Sequence, residues 1–312
     1  MSEPDTGGAR TGHLVTRDED GQRIDNLLMR LDRARPRSEI YRLLRTGQVR
    51  VNGGRAAPST RVHEGDRVRL PPFFGRPPRP PPHLEAGWIE DRILYEDEHC
   101  LLIDKPAGLA VHGGSGIGLG LVDLVRAQRP DVPLLAPAHR LDRETSGCLL
   151  LGKSRTALRL LQQSFLAGEV AKTYLALTLG RWPDGRVLLD TPLEKRPGTD
   201  PSARARTART HVRVLRHFPP ATLLELRLET GRTHQIRRHT AEVGHPVVGD
   251  RRYGSPTGNR DFVRLGLRRL FLHAVALALP RPGGDKRIAV TSPLPGDLEH
   301  VLTLLAEGKE SS

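Results

Sequence analysis

A proline-rich stretch divides this chain into two parts. Residues 71–83 contain seven prolines among thirteen positions. A segment of this composition is extended and semi-rigid, and it lacks the backbone donors that a helix or a central strand needs. It therefore predicts a spacer between separately folded parts. A chain of 312 residues is long enough for one large core and a small accessory module.

We predict a division of the chain into five segments. They are a disordered tail at 1–20, a small module at 21–71, the proline-rich linker at 72–86, a larger domain at 87–302 and a C-terminal tail at 303–312. The N-terminal tail is predicted because residues 1–20 offer little apolar surface to offset the entropy of ordering.

The small module shows a helix-helix-hairpin pattern. Apolar residues at i, i+3, i+4 and i+7 over 24–31 predict an amphipathic helix. A second helix follows, with Ser38 as its expected N-cap and Gly47 at its end. Asn52 and Gly53 indicate a hairpin turn between short strands.

The charge of the chain points to a polyanionic partner. The formal net charge is +13, and residues 21–70 hold twelve arginines against five acids. Since no apolar stretch is long enough to span a membrane, we expect RNA rather than a lipid surface, although a charged run can also be a solvated face. The candidate RNA contacts in this module are Arg37, Arg42, Arg45 and Arg50.

The cysteines and the N-terminus predict an intracellular protein without a metal site. Cys100 and Cys148 lie in apolar, strand-like runs and have no companion at metal-ligand spacing, so we expect core residues. The N-terminus lacks the apolar core of a secretion signal, which predicts the cytoplasm. We also expect a monomer.

The larger domain mixes strands and helices in an irregular order. This order favours an α+β fold, with a mixed, largely antiparallel sheet and flanking helices, over a regular β-α-β series. The predicted strands are 93–95, 100–104, 173–179, 211–215 and 222–228, and the predicted helices are 121–128 and 156–167.

Two glycine patterns could suggest a nucleotide site, and we reject both. Residues 147–154 match the P-loop pattern G-x-x-x-x-G-K-[ST], but the four residues between the glycines are strand formers. Residues 113–120 contain no G-x-G-x-x-G and are expected to form a flexible loop. No nucleotide cofactor is therefore predicted.

A polar loop at residues 139–147 leads directly into an apolar run. By itself Asp142 in this loop could simply cap a turn. However, the pattern His-Arg-Leu-Asp-x-x-Thr-Ser-Gly, together with the blocks at 172–176 and 230–237, resembles the active-site signatures of the RluA-type pseudouridine synthases. The small module similarly resembles the S4 RNA-binding domain.

This resemblance implies an activity and a set of roles. Pseudouridine formation exchanges no atoms or electrons, so no cofactor is expected. Asp142 would be the catalytic carboxylate, Arg237 its charge partner, and Tyr174 the residue that stacks on the base and could accept the C5 proton. From the sequence alone Tyr174 is more readily a core aromatic. The remaining candidates would contact RNA or shape the loop, and they are Arg140, Arg232, His234 and Gln235.

The expected substrate is 23S rRNA or a precursor of the large ribosomal subunit. Residues 23–26 and 40–47 resemble family members that act on large-subunit rRNA more than those that act on tRNA. A tRNA substrate and a non-catalytic RNA-binding protein are the alternatives. Arg238 departs from the family pattern, which has an apolar residue there.

Overall fold

The computed structural model describes residues 12–32, 35, 37–72, 74, 88–113, 120–194, 205–284 and 286–308. These residues form two compact units. The first holds the described part of 1–86 together with 110–131, and the second holds the described part of 87–109 and 132–312. No helix within the described ranges is long and apolar enough to cross a membrane.

The first unit is a small four-stranded antiparallel sheet with helices. Its elements are β1 (Gly12–Leu14), α1 (Ile24–Leu31), α2 (Arg37–Arg45), β2 (Arg50–Val51), β3 (Gly54–Arg55), β4 (Arg67–Arg69) and α3 (Leu121–Gln128). Ile24, Leu27 and Leu28 of α1 are fully buried in one core with the leucines of α2, as the spacing predicts, and Leu31 is partly buried against this core. Asn52 and Gly53 both have positive φ, +49° and +79°, which confirms the predicted hairpin turn.

Two predictions for the first unit are wrong. Residues 12–20 are ordered, because β1 pairs with β4, Val15 enters the core, and the buried Glu19 accepts hydrogen bonds from His13 and Arg30. Burial opposes the charge of Glu19, but the hydrogen bonds that it accepts outweigh burial and lower its pKa. In addition, α2 begins at Arg37, so Ser38 lies inside the helix and is not its N-cap.

The second unit is built on a ten-stranded sheet. Its elements are β5 (Ile93–Glu96), β6 (Cys100–Lys105), β7 (Ala136–Pro137), β8 (Ser146–Gly152), α4 (Arg155–Leu166), β9 (Ala171–Leu179), β10 (Leu188–Leu189), β11 (Thr210–Phe218), β12 (Ala221–Leu228), α5 (Gln235–Glu242), α6 (Pro256–Arg264), β13 (Leu272–Pro280), β14 (Arg287–Thr291) and α7 (Gly296–Ala306).

The sheet runs in the order β10-β11-β12-β9-β13-β8-β6-β5. Among its described pairs only β13 with β8 is parallel, which confirms the mixed, largely antiparallel fold. All seven residues of β8 are buried, so the segment that matches the P-loop pattern is a core strand and offers no phosphate-binding loop. Cys100 and Cys148 are buried core residues.

The predicted start of the C-terminal tail, residue 303, is too early in the chain. The last helix α7 continues to Ala306, because Leu305 packs with Leu298 and Val301 into a core that also contains Phe262. Most of the linker at 72–86 and of the glycine-rich loop at 113–120 lies outside the described residues. Phe74, at the start of the linker, is buried in the core of the first unit.

Candidate active site

A buried lysine holds the polar loop that carries Asp142. Lys105 ends β6 and is 0% exposed. Its Nζ donates to the carbonyl oxygens of Pro106 at 2.8 Å, Leu109 at 2.8 Å and Arg143 at 3.1 Å, which uses all three donors of an ammonium group. Burial lowers the pKa of Lys105 to about 7. The backbone N–H of Gly108 also donates to the Arg143 carbonyl, so this turn and the loop are joined.

His139 fixes the other end of the loop. Its Nε2 accepts a hydrogen bond from the Leu150 N–H at 3.1 Å, and its ring stacks on Phe165 at 4.9 Å. Burial lowers the pKa of His139 to about 4, so the ring is neutral at physiological pH. His139 therefore shapes the loop and is not a surface contact for RNA.

Gly147 lets the loop enter the sheet at the parallel pairing of β8 with β13. Its φ is +108°, and a Cβ atom there would lie 2.3 Å from the carbonyl oxygen of Ala274. Beside it, Ser146 Oγ is 2.9 Å from His273 Nδ1 and accepts from Arg269. A residue with a side chain at 147 would therefore push β13 away from the catalytic loop.

We expect Gly147→Ala to lower the free energy of unfolding by about 2–5 kcal/mol, from the positive φ and the clash together. Gly244→Ala is a matched control, since Gly244 has φ +83° but open space where a Cβ atom would lie, and it should cost about 1–2 kcal/mol. Urea denaturation measures both. Equal losses in the two variants would contradict the close approach of β8 and β13.

Asp142 faces a buried ion pair. Arg237, on α5, donates from Nε and Nη2 to Asp250 at 2.7 and 2.9 Å, while its Nη1 is 3.4 Å from Asp142 Oδ2. Burial opposes the charge of Arg237, but the hydrogen bonds to Asp250 and the charges of both carboxylates outweigh it and raise its pKa. Asp250 also accepts from the backbone N–H groups of Arg252 and Tyr253. The guanidinium is thus aimed at Asp142 by Asp250.

The side chains around Asp142 line an open cleft. Asp142 is 19% exposed at the cleft, whereas Tyr174 of β9 is buried at its wall. Burial raises the pKa of Tyr174. The exposed Arg140 and Arg232 lie at the rim.

Gln235 has a structural role in the cleft wall. Its Oε1 accepts from the Thr230 hydroxyl and the Arg232 N–H, and its Nε2 donates to the Arg209 carbonyl and the Thr210 hydroxyl. All four hydrogen-bonding positions of the amide are filled. The amide of Gln235 is therefore engaged in holding the turn before α5, and its contact with RNA stays a prediction.

Two family models match the chain, the RNA pseudouridylate synthase model over residues 99–242 and the S4 domain model over residues 22–68. The chain is also 40% identical over 301 residues to the ribosomal large subunit pseudouridine synthase C of Vibrio cholerae, which covers 93% of this chain and 96% of that relative. The chain belongs to the RNA pseudouridylate synthase family. The Escherichia coli K12 protein of the same name is 40% identical over 307 residues, covering 95% of this synthase and 96% of that protein.

Solved structures agree with the family. Human RNA pseudouridylate synthase domain containing 4 matches with a TM-score of 0.58 and 27% identity, over 70% of this synthase and 94% of that chain. Human RNA pseudouridylate synthase domain containing 1 gives 0.55 and 28%, over 65% and 83%. The α+β fold and the presence of an S4 domain were both predicted correctly.

Three residues of the site were not assigned a role from the sequence. Lys105, Asp250 and Tyr253 each make contacts in the site that depend on residues distant in the chain. Lys105 reaches a carbonyl 38 positions away, and Asp250 meets Arg237 across 13 positions. A charged residue at the end of an apolar strand, as Lys105 is, was the only available signal.

Proposed function

We propose that this synthase isomerises specific uridines to pseudouridine in RNA of the large ribosomal subunit. The observation that supports it best is the Asp142 carboxylate, faced by the buried Arg237 in an open cleft. The substrate class comes from the curated relatives, whose names give the large ribosomal subunit and which align with nearly the whole chain. We place the reaction in the cytoplasm.

The residues of the cleft suit the steps of the isomerisation. The C1′–N1 bond of the uridine breaks, the base turns, C1′ joins C5, and the C5 proton leaves. Asp142 supplies the carboxylate that acts on the ribose or the base, and Arg237 fixes the direction of this carboxylate. The chemistry needs an unstacked uridine, so the target base leaves its RNA helix to enter the cleft. Arg140 at the rim faces the RNA from which the base departs.

Tyr174 has a stacking role in this proposal. Its ring lines the cleft with Asp142, and an aromatic face is a suitable surface for a base. Burial and the neighbouring Asp142 charge both raise the pKa of the phenol, so its oxygen keeps its proton. A neutral phenol is a poor base. We therefore assign the C5 proton to another acceptor and retain Tyr174 for holding the uracil.

The S4 domain contributes part of the affinity for RNA. Of the four arginines predicted to contact RNA, Arg37 and Arg45 are exposed. Arg42 is engaged by Glu39, and Arg50 donates to the carbonyl oxygens of Gly47 and Gly53. Because exposed guanidinium groups can reach phosphates directly, Arg37 and Arg45 are the strongest candidates.

The double variant Arg37→Gln, Arg45→Gln should bind rRNA less tightly and with a shallower salt dependence. Each lost phosphate contact lowers the slope of log affinity against log salt by roughly 0.7–0.9. The control is Arg181→Gln, Arg264→Gln, which removes the same charge from two exposed positions of the second unit. Filter binding at several salt concentrations measures both variants. Equal slopes for the two would mean that Arg37 and Arg45 form a solvated face.

The proposed function is tested by mapping pseudouridines in rRNA and tRNA from a strain lacking the gene. We expect specific sites to revert to uridine in large-subunit rRNA and to return when the gene is restored. Loss of pseudouridine only from tRNA would mean that the substrate is tRNA and not rRNA. No loss from either RNA would favour a non-catalytic RNA-binding role.

A further inference from the structure

His234 is held in an uncommon backbone conformation beside the Asp142 carboxylate. It precedes α5 as its N-cap, with φ +54° and ψ +29°. Among the described residues only Asn52, in its hairpin turn, is another non-glycine residue with positive φ. Residues other than glycine adopt this conformation uncommonly, and such strain persists where the surrounding structure imposes it.

Tyr253 imposes the orientation of the His234 side chain. The Tyr253 hydroxyl is 3.0 Å from His234 Nδ1, and the two rings meet edge to face with centroids 5.6 Å apart. The Tyr253 ring also lies under the Arg237 guanidinium, 5.2 Å from its central carbon. Tyr253 itself is fixed by its backbone N–H, which donates to Asp250. One tyrosine therefore supports both cleft groups that face Asp142.

Both of these groups point at the same oxygen of Asp142. Arg237 Nη1 is 3.4 Å from Oδ2, and His234 Nε2 is 3.7 Å from that oxygen. The contact leaves either group as the donor. We assign the Tyr253 O–H as the donor to Nδ1, which places the proton of the neutral imidazole on Nε2, the nitrogen that faces Asp142. Neither donor approaches Oδ1 within these distances.

Burial favours the neutral form of the His234 ring. Burial is the largest effect and lowers the pKa of His234; Arg237 and Arg252 lower it further, while the carboxylates of Asp142 and Asp250 oppose them. A neutral ring can donate to Asp142 without cancelling its charge. A protonated ring at this place would form an ion pair with Asp142 and weaken it as a nucleophile.

We propose that His234 is a positioning residue for the isomerisation, oriented by Tyr253 so that its Nε2–H and Arg237 together hold Asp142 Oδ2 and leave Oδ1 as the reacting oxygen. This inference rests on the proposed role of Asp142. The 3.7 Å separation shortens to a hydrogen bond when the uridine enters, as contacts in catalytic sites commonly do in the substrate complex. It replaces the RNA-contact role that the sequence suggested for His234.

Three variants of the full-length protein test the inference on an rRNA segment that contains the target uridine. His234→Asn tolerates the positive φ but is too short to reach Asp142, whereas His234→Gln places an amide N–H near the position of Nε2. Tyr253→Phe keeps the ring under Arg237 and removes only the hydroxyl. Thermal unfolding confirms that each variant is folded, and turnover, KM and RNA affinity against salt are measured for all.

We expect His234→Asn to lower kcat by roughly 10²-fold, with KM and the salt slope nearly unchanged, because a donor to the reacting carboxylate is lost. His234→Gln should recover part of that loss. Tyr253→Phe should lower kcat by about 10-fold alone and have no further effect in the His234→Asn background, since the two residues act as one unit.

Other outcomes would overturn the inference. A normal kcat for His234→Asn, with raised KM and a shallower salt slope, would make His234 an RNA contact. Fully additive effects of the two substitutions would separate Tyr253 from His234. Wild type and Asp142→Asn are assayed in the same series. Equal turnover by these two proteins would show that Asp142 does not have its proposed role, and the inference about His234 would then fail with it.

Discussion

Asp142→Asn is expected to lower the rate of pseudouridine formation by roughly 10⁴-fold or more while the protein still folds and binds RNA. The amide keeps the shape of the side chain, which lies partly exposed at the cleft, but it cannot act as a nucleophile or a base. Release of tritium from C5-labelled uridine in an rRNA segment measures the rate, and filter binding measures the affinity.

The matched control for this substitution is Glu144→Gln. Glu144 stands two residues away in the same loop and is about half exposed, with a loose contact to Arg143. It should retain nearly full activity, because Glu144 is not among the residues that line the cleft. Near-normal tritium release by Asp142→Asn would show that this carboxylate does not perform the reaction.

Arg237→Ala should reduce both stability and activity severely. Removing one partner of a buried ion pair leaves an uncompensated charge and costs about 3–5 kcal/mol of unfolding free energy, here on Asp250, which is 2% exposed. Asp142 loses its cationic neighbour at the same time. Urea denaturation and single-turnover kinetics measure the two effects separately.

Two comparisons show whether the loss has the proposed cause. Arg213→Ala breaks the exposed pair with Glu225 and should cost about 0–1 kcal/mol. Arg237→Ala combined with Asp250→Ala removes both charges, so it should regain part of the stability but none of the activity. Recovery of activity in the double variant would mean that Arg237 serves only to satisfy Asp250.

The sequence predicted local structure correctly where the signal lies within one short segment of the chain. The helical spacing of apolar residues located α1, and Asn52 and Gly53 located their turn, since both signals act within a few residues. The helix over Leu121–Gln128 was predicted with its observed bounds. By contrast β1 has no strong local pattern and is ordered by pairing with β4 across the module.

The candidate site was predicted only in part, because its contacts join residues that are far apart in the chain. Asp142 and Arg237 are 95 positions apart, and their proximity followed from family resemblance, because no periodicity relates residues so distant. The sequence offered Arg237 as the partner of Asp142, but its strongest contacts are with Asp250. The role of Lys105 was not predicted, because a lysine is rarely expected in a fully buried position.

The place of β13 in the sheet affects when the sheet can be completed during synthesis of the chain. β13 is the link between β9 on one side and β8 on the other, and it follows both of these strands in the chain. Until it emerges during synthesis, the strands already made form two separate sheets, each with an open edge at β8 or β9. Such edges can pair with other chains. A nascent chain therefore joins the two parts of this sheet, and with them the surroundings of Asp142, only after β13 has been made.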